Sequence, residues 1–512
     1  MSRPIRKIVL VQPRQPLPSI IPSELIVMPR YGVPLIATIL KNAGYDVTLF
    51  VEEIRPINWE ILYEADVVMF HALSSAVGGM EHIVKRLRMR SAAPVIVGGE
   101  HVSYLPNSVL RFADYTVHQE GDETIVDLVD ALSNGRDVAT VKGISFRRDG
   151  RIVRTPERPC VKNFDTIVDI KTIYGWEEAY VSKNGPPYPM MTVQGTRGCP
   201  FGCKFCPVQV MLGKGYRKRS VDSIIADLAD KLQYSRAVMF VDNLFEGDIN
   251  HATEILERII AEKLRPHLTI FCRSSIGKKP EMLKLMRRAG VIRIFTGIES
   301  LNQESLDNCD KGQTVADIKT AVDAIRDAGI TVHATMVMGF DTDTVETIHA
   351  TRDMLRQWGI SQLNVFSLWG LYKHGGEQLT PLDRIIFKDW DYLNGSYVCH
   401  FPLRMRPSQL QHEIVATHDD TFDPHQEPGD YPRWSGPEEP WRDFYERIWA
   451  PMRKSMLEYI PYLEEVERGY YDENDHLLVD KMASRPDLDW VLWHLESFHT
   501  TAATRTSVTS LA

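Results

Sequence analysis

Short β-branched runs alternate with helix-length amphipathic stretches along most of this chain, which leaves few folds open to it other than parallel sheets covered by crossover helices. The alternation occurs in two blocks. In the first, strand-like runs fall at Lys7–Gln12, Asp46–Val51, Asp66–His71, Pro94–Val97 and Tyr115–Val117. Between them Val33–Asn42, Gly79–Met89 and Thr124–Leu132 carry apolar residues at three-to-four spacing, the period of a helix with one buried face. A five-stranded, doubly wound (Rossmann-like) domain is predicted over residues 1–140.

Residues 141–188 read as a linker with a hairpin, its strands at Gly143–Arg147 and Arg151–Arg154, followed by a loose stretch containing Gly185, Pro186, Pro187 and Pro189. Over 189–380 the alternation resumes six times. Strands are predicted at Met190–Gln194, Ala237–Val241, Leu268–Cys272, Ile292–Thr296, Val332–Met338 and Gln362–Ser367. The helices between them are Val221–Tyr234, Ile249–Glu262, Pro280–Arg288, Val315–Ala328 and Val345–Trp358. Six parallel βα units make a partial (βα)6 barrel, whose chemistry belongs at the C-terminal ends of its strands. Residues 381–512 are Trp-rich and mostly helical between Trp441 and Val466, and the Ser/Thr-rich stretch Thr500–Ala512 is expected to be disordered.

No run of roughly 18 apolar residues occurs, and the N-terminus lacks the charged, apolar, small-residue order of a signal peptide, so a cytoplasmic protein with no membrane span is expected. The formal net charge of -9 argues against a nucleic-acid partner. The basic run Lys85, Arg86, Arg88 and Arg90 reads as a solvated helix face.

Seven cysteines in 512 residues are too few for a disulfide framework, yet Cys199, Cys203 and Cys206 crowd into eight positions, which points to a metal. Cys160, Cys272, Cys309 and Cys399 stand singly and read as buried small hydrophobes. The crowded segment, Gly195-Thr-Arg-Gly-Cys199-Pro-Phe-Gly-Cys203-Lys-Phe-Cys206-Pro207, follows the first barrel strand directly. Its glycines let backbone wrap tightly around an inorganic core. Three thiolates at this spacing can bind three corners of a four-iron cluster, leaving one iron open. An open iron chelates an amino and a carboxylate group and delivers an electron into a bound sulfonium. The alternative is a structural zinc site, which normally takes four protein ligands and would need Cys160 as the fourth.

The Cys-x3-Cys-x2-Cys spacing with Phe205 before the last cysteine resembles the radical S-adenosylmethionine (SAM) superfamily over residues 190–370. The resemblance implies a 4Fe-4S cluster on Cys199, Cys203 and Cys206, SAM on the open iron, and cleavage to methionine and a 5'-deoxyadenosyl radical. It places Asp242 and Asn243 near the SAM amino group. Arg273, Glu299 and Ser300 fall near its ribose and carboxylate, and Met338, in Met338-Gly339-Phe340-Asp341, near its adenine. An acid or arginine after a strand serves as often as a helix cap or surface group.

The first domain is similar to the cobalamin-binding module that precedes the barrel in one radical SAM subclass. The similarity rests on Tyr31-Gly-Val-Pro-Leu-Ile-Ala37, on Ser74 and Ser75, on Gly98-Gly99-Glu100-His101, and on Glu120-Gly121-Asp122-Glu123-Thr124. Glycines at strand ends let backbone approach a large ligand, although a flavodoxin-like domain without cofactor would carry similar ones. His71 and His101 could contact a corrin, or serve as ordinary polar contacts. Two departures stand out. Gln12-Pro-Arg-Gln-Pro replaces the Asp-x-His-x2-Gly motif that supplies an axial imidazole, and Leu368-Trp-Gly-Leu-Tyr-Lys-His-Gly-Gly-Glu377 stands where the subclass often has Pro-Gly-Thr. Without a strong lower ligand, reduction to cobalt(I) becomes easier.

The resemblance implies cobalamin-dependent methylation of an unactivated carbon in a small-molecule substrate, with flavodoxin or ferredoxin as electron donor. The aromatic residues beyond the barrel admit a hydrophobic substrate. Oxidative cyclisation or rearrangement with the same cofactors is the alternative enzyme reading, and a non-catalytic cobalamin or iron-sulfur sensor is the alternative outside enzymes.

Overall fold

A computed structural model describes residues 4–18, 26–182, 188–368, 373–374, 377–378, 380–421 and 445–491. Most of the replacement for Pro-Gly-Thr lies outside the described residues, as do Gly185, Pro186, Pro187 and the tail from Thr500.

The first sheet contains β1 (Lys7–Gln12), β2 (Asp46–Val51), β3 (Val67–His71), β4 (Val95–Gly98) and β5 (Tyr115–Val117) in the order β2-β1-β3-β4-β5, all parallel. This is the flavodoxin-type order, with its switch point between β1 and β3. Along β1, Ile8 and Leu10 join the core under α1 (Gly32–Asn42), while Val9 and Val11 join the core under α2 (Val77–Arg88). Burial on both faces explains why these strands read as continuous apolar runs.

The linker differs from expectation. Its hairpin, β6 (Ile144–Arg148) and β7 (Arg151–Arg154), pairs antiparallel with β5 and extends the sheet to seven strands. The three-residue β5 would otherwise leave its outer amides unpaired, and Ile144 and Phe146 are buried by the pairing. The stretch beyond is a strap. Ile173 bridges to Leu49 on the opposite edge, Lys231 donates to the Val168 carbonyl at 2.6 Å, and Arg219 donates to that of Thr166 at 2.8 Å.

The second sheet contains β8 (Met191–Val193), then β11 (Ala237–Phe240), β12 (His267–Cys272), β13 (Val291–Glu299), β14 (Thr331–Met338) and β15 (Leu363–Ser367), parallel and in chain order. The intervening pair β9 (Thr196–Cys199) and β10 (Gly215–Lys218) forms a separate antiparallel ribbon. Val332, Ala334, Met336 and Met338 of β14 face the surrounding helices, so His333, Thr335 and Val337 face the lumen. The same alternation turns Phe271, Phe295, Asn364 and Phe366 inward. A helix not anticipated, α12 (Pro407–Thr421), packs on β15 and on α13 (Ala450–Val466). Trp390 of the C-terminal region is core rather than surface, edge-on to His101 of the first domain at 4.8 Å.

Candidate active site at the cysteine loop

The β9–β10 ribbon rises from the C-terminal end of β8 and begins the cysteine loop. Gly198 takes φ +86, and a Cβ there would lie 2.3 Å from the Gly215 carbonyl oxygen, so no side chain fits. Strand-end groups hold the ribbon from below. The Asp242 carboxylate accepts the amides of Gly195 at 2.7 Å and Thr196 at 3.1 Å, and Asn243 accepts that of Gly198 at 3.2 Å. Burial pushes the Asp242 carboxyl up to about 7 against the pull of those amides. Both side chains expected to meet SAM therefore carry the loop itself.

Around the thiols, Arg273 Nη1 lies 3.7 Å from Cys203 Sγ, and its guanidinium covers the Phe201 ring at 3.9 Å and donates to the Lys311 carbonyl. The Lys204 amide donates to the Cys309 carbonyl at 3.1 Å. Phe205 packs with Cys309, Phe340, Val337 and Leu368. Burial pushes the Cys206 thiol up to about 11. Among the described residues no three His, Cys, Asp or Glu side chains converge closely enough to share one metal ion.

Sequence reasoning missed Lys311, whose Nζ pairs with Glu299 Oε1 at 2.7 Å in a nearly dry setting. Gly297 makes room: a Cβ there would sit 2.2 Å from Glu299 Oε1 and 2.8 Å from Lys311 Nζ. Glu299 has left-handed backbone, φ 62, which aims its side chain along the rim. Gly312 after Lys311 was the available signal, a turn glycine in a loop at the barrel's C-terminal face. Glu246 was also missed; buried, it accepts the Arg273 amide at 2.8 Å. Ser300 accepts the Asn302 amide at 3.0 Å. Met338 departs from expectation, because strand alternation turns its side chain into the core and leaves only its backbone at the rim.

In the first domain, the hydroxyls and glycines picked from the sequence serve the protein. Ser74 Oγ and Ser108 Oγ bracket the buried His101 ring at 2.9 and 2.7 Å, and Ser75 donates to Gln15 at 2.7 Å. Burial pulls His71 and His101 down to about 3, so both rings are neutral. Gly99 takes φ +108 and a Cβ there would crowd Ala72 and His71 at 3.0 Å; Gly98 is less tightly packed. At the switch point Gln12, Arg30, Glu53, His71 and Glu100 gather in a polar cluster. Glu120, with Gly121 and Asp122 behind it, turns from this crevice toward the barrel, where Arg197 and Arg217 take its carboxylate.

Two family models match the chain, the B12 binding domain over residues 26–129 and the radical SAM superfamily over 193–355. The chain is 29% identical over 297 residues to an uncharacterized methyltransferase of Pyrococcus horikoshii, covering 56% of this chain and 63% of the relative. It is 27% identical over 363 residues to the anaerobic magnesium-protoporphyrin IX monomethyl ester cyclase of Rubrivivax gelatinosus, covering 67% and 64%. The matches thus span a little under two thirds of these relatives' lengths. In structure it is similar to the radical SAM methyltransferase TsrM of Kitasatospora setae, solved with cobalamin and a [4Fe-4S] cluster, with TM-score 0.65, 18% identity and coverage of 91% of this chain and 100% of that one. No helix among the described residues is long and apolar enough to cross a membrane. The chain thus carries a segment matching the B12 binding domain, followed by one matching the radical SAM superfamily, in a fold similar to that of TsrM.

Proposed function

We propose that the chain is a cobalamin-dependent radical SAM methyltransferase acting on an unactivated carbon of a small molecule, in the cytoplasm, with flavodoxin or ferredoxin as electron donor. The observation carrying this reading is that the two ligand edges meet. α3 (Glu100–Tyr104), which begins at the Gly98-Gly99 turn, packs beside α5 (Val208–Leu212), which follows Cys206. A ligand in the crevice of the first sheet and one at the cysteine loop would share one space.

Cys199, Cys203 and Cys206 would hold three irons, and the polar crevice of Gln12, Arg30, His71 and Glu100 suits an amide-rich corrin. When bound, the cluster supplies an electron for SAM cleavage and cobalamin supplies a transferable methyl group. Arg273 and Lys311 place positive charge at the thiols and would meet the carboxylate of a bound SAM, Glu299 and Ser300 would offer acceptors, and Asn243 and Asp242 fix the loop. Phe205, packed against Cys309, Phe340 and Leu368, would close an apolar flank of the site. Below them the lumen is aromatic: Phe271 and Phe295 stack at 5.0 Å, and Phe295 and His333 at 4.0 Å. Burial holds His333 at about 3, so it meets substrate as a neutral hydrogen-bonding ring. Substrate held there is kept in line and dry.

The test is to incubate the reduced, reconstituted enzyme with trideuteromethyl SAM and a small-molecule extract of its host. Methyl transfer predicts a metabolite carrying the label. 5'-Deoxyadenosine without label transfer would favour cyclisation, the reading that likeness to the Rubrivivax cyclase supports. No SAM consumption at all would favour a sensor.

A further inference from the structure

Arg197 stands two residues before Cys199, and three of its four hydrogen bonds go to the first domain. Nη1 donates to Glu120 Oε1 at 2.9 Å and Asp122 Oδ2 at 3.1 Å, Nη2 to Asp122 Oδ1 at 2.9 Å, and Nε to Gln194 at 2.8 Å. Its guanidinium covers Phe164 at 4.6 Å. Arg217, opposite on the ribbon, donates to both oxygens of Glu120 at 2.9 and 2.8 Å, and Glu120 also accepts the Val161 amide at 2.9 Å. The side chains of Arg197, Glu120 and Asp122 are only 4%, 6% and 12% exposed. On the far side of Glu120, Gln119 is held left-handed at φ 54. Its amide is accepted at 3.1 Å by Ser103 Oγ, which in turn donates to the Gly99 carbonyl at 3.0 Å. Hydrogen bonds on either side of the Gln119–Glu120 peptide unit thus join the Gly98-Gly99 turn at the crevice to the ribbon bearing Cys199.

We propose that Glu120 and Asp122 are positioning residues that couple the two cofactor sites, so that an ordered cysteine loop tightens cobalamin binding and bound cobalamin tightens cluster binding. The proposal rests on the cofactors assigned above. Two cations and two anions, mostly shielded from solvent, have one good arrangement; with ribbon or crevice loop displaced, they are left unpaired at low dielectric. A ligand that orders either end therefore favours the geometry the other end needs, and the coupling must be reciprocal.

Titration with hydroxocobalamin, followed by its visible spectrum, measures affinity in cluster-free and cluster-loaded full-length protein. The wild type is expected to bind about tenfold more tightly when loaded, within the usual range of such couplings. In Glu120→Gln/Asp122→Asn both cofactors still bind, but the ratio falls to within about twofold. A purely structural role would lower stability and leave the ratio intact. If that double variant does not fold, Arg197→Lys, which keeps the charge and loses the planar fork, is expected to reduce the ratio to about threefold. A wild-type ratio near one, or a variant that retains the full ratio, overturns the proposal. Wild type that binds no cobalamin in either state overturns the functional reading beneath it.

Discussion

The ligand edges of the two sheets are built on opposite plans. At the first, polar groups bond one another: Ser74 and Ser108 to His101, Ser75 to Gln15, and Gln12 to Glu53. At the barrel, strand-end groups reach out to an excursion of the chain, Asp242 and Asn243 to the ribbon amides and Arg273 to Cys203. One edge is a preformed floor; the other is a mount for a loop. Residue type after a strand therefore does not reveal whether the group serves a ligand or the protein, and only the geometry of what it bonds decides.

The largest test of the contrast is Cys203→Ala, expected to take reconstituted iron from about four per chain to background while the first domain stays folded; iron and sulfide assays with circular dichroism check both. Full iron retention would remove the mount from the picture. A matched glycine pair sharpens it. Gly198→Ala and Gly99→Ala each force a side chain into a left-handed position with a near contact, costing about 1–3 kcal/mol. The first should lower iron loading several-fold, and the second should lower the denaturant midpoint and, reaching the ribbon only through the Glu120 link, cost at most about twofold in iron loading. Equal loss of iron in both would mean the edges are not separate devices.

The smallest effect concerns pH. His101 is held neutral at about 3 by burial against about 6.5 unfolded. Below 6.5 the unfolded chain binds a proton that the folded chain refuses, so this stability is present above 6.5 and is lost as pH falls toward 3. The slope is about 1.4 kcal/mol per pH unit. His101→Asn should flatten the pH dependence of chemical denaturation between pH 5 and 6 by about that amount. An unchanged slope would mean the ring is protonated in place.

Both sheets were legible in the sequence because parallel strands buried on two faces leave unmistakable apolar runs. The cysteine loop was legible because its spacing is covalent. What escaped depends on tertiary pairing. The Ile144–Arg154 hairpin reads as isolated until β5 needs a neighbour, and the 155–182 strap has no periodicity because single residues such as Lys231 and Ile173 fix it. Lys311 was hidden in a turn, since nothing local reveals that Gly297 leaves a hollow for it. Met338 was misjudged by one position of alternation, enough to turn a side chain from rim to core. Glu120 was read as a crevice group because its partners lie 77 and 97 residues further along the chain.

The closed borders of the first sheet have a consequence for the chain before any cofactor arrives. An open parallel border offers a stranger's strand a ready row of amides and carbonyls. Here β7 ends the ladder between two solvent-exposed arginines, Arg151 and Arg154, and the Leu49–Ile173 bridge occupies the other side. A second molecule seeking to stack there would have to desolvate guanidinium groups or displace the strap.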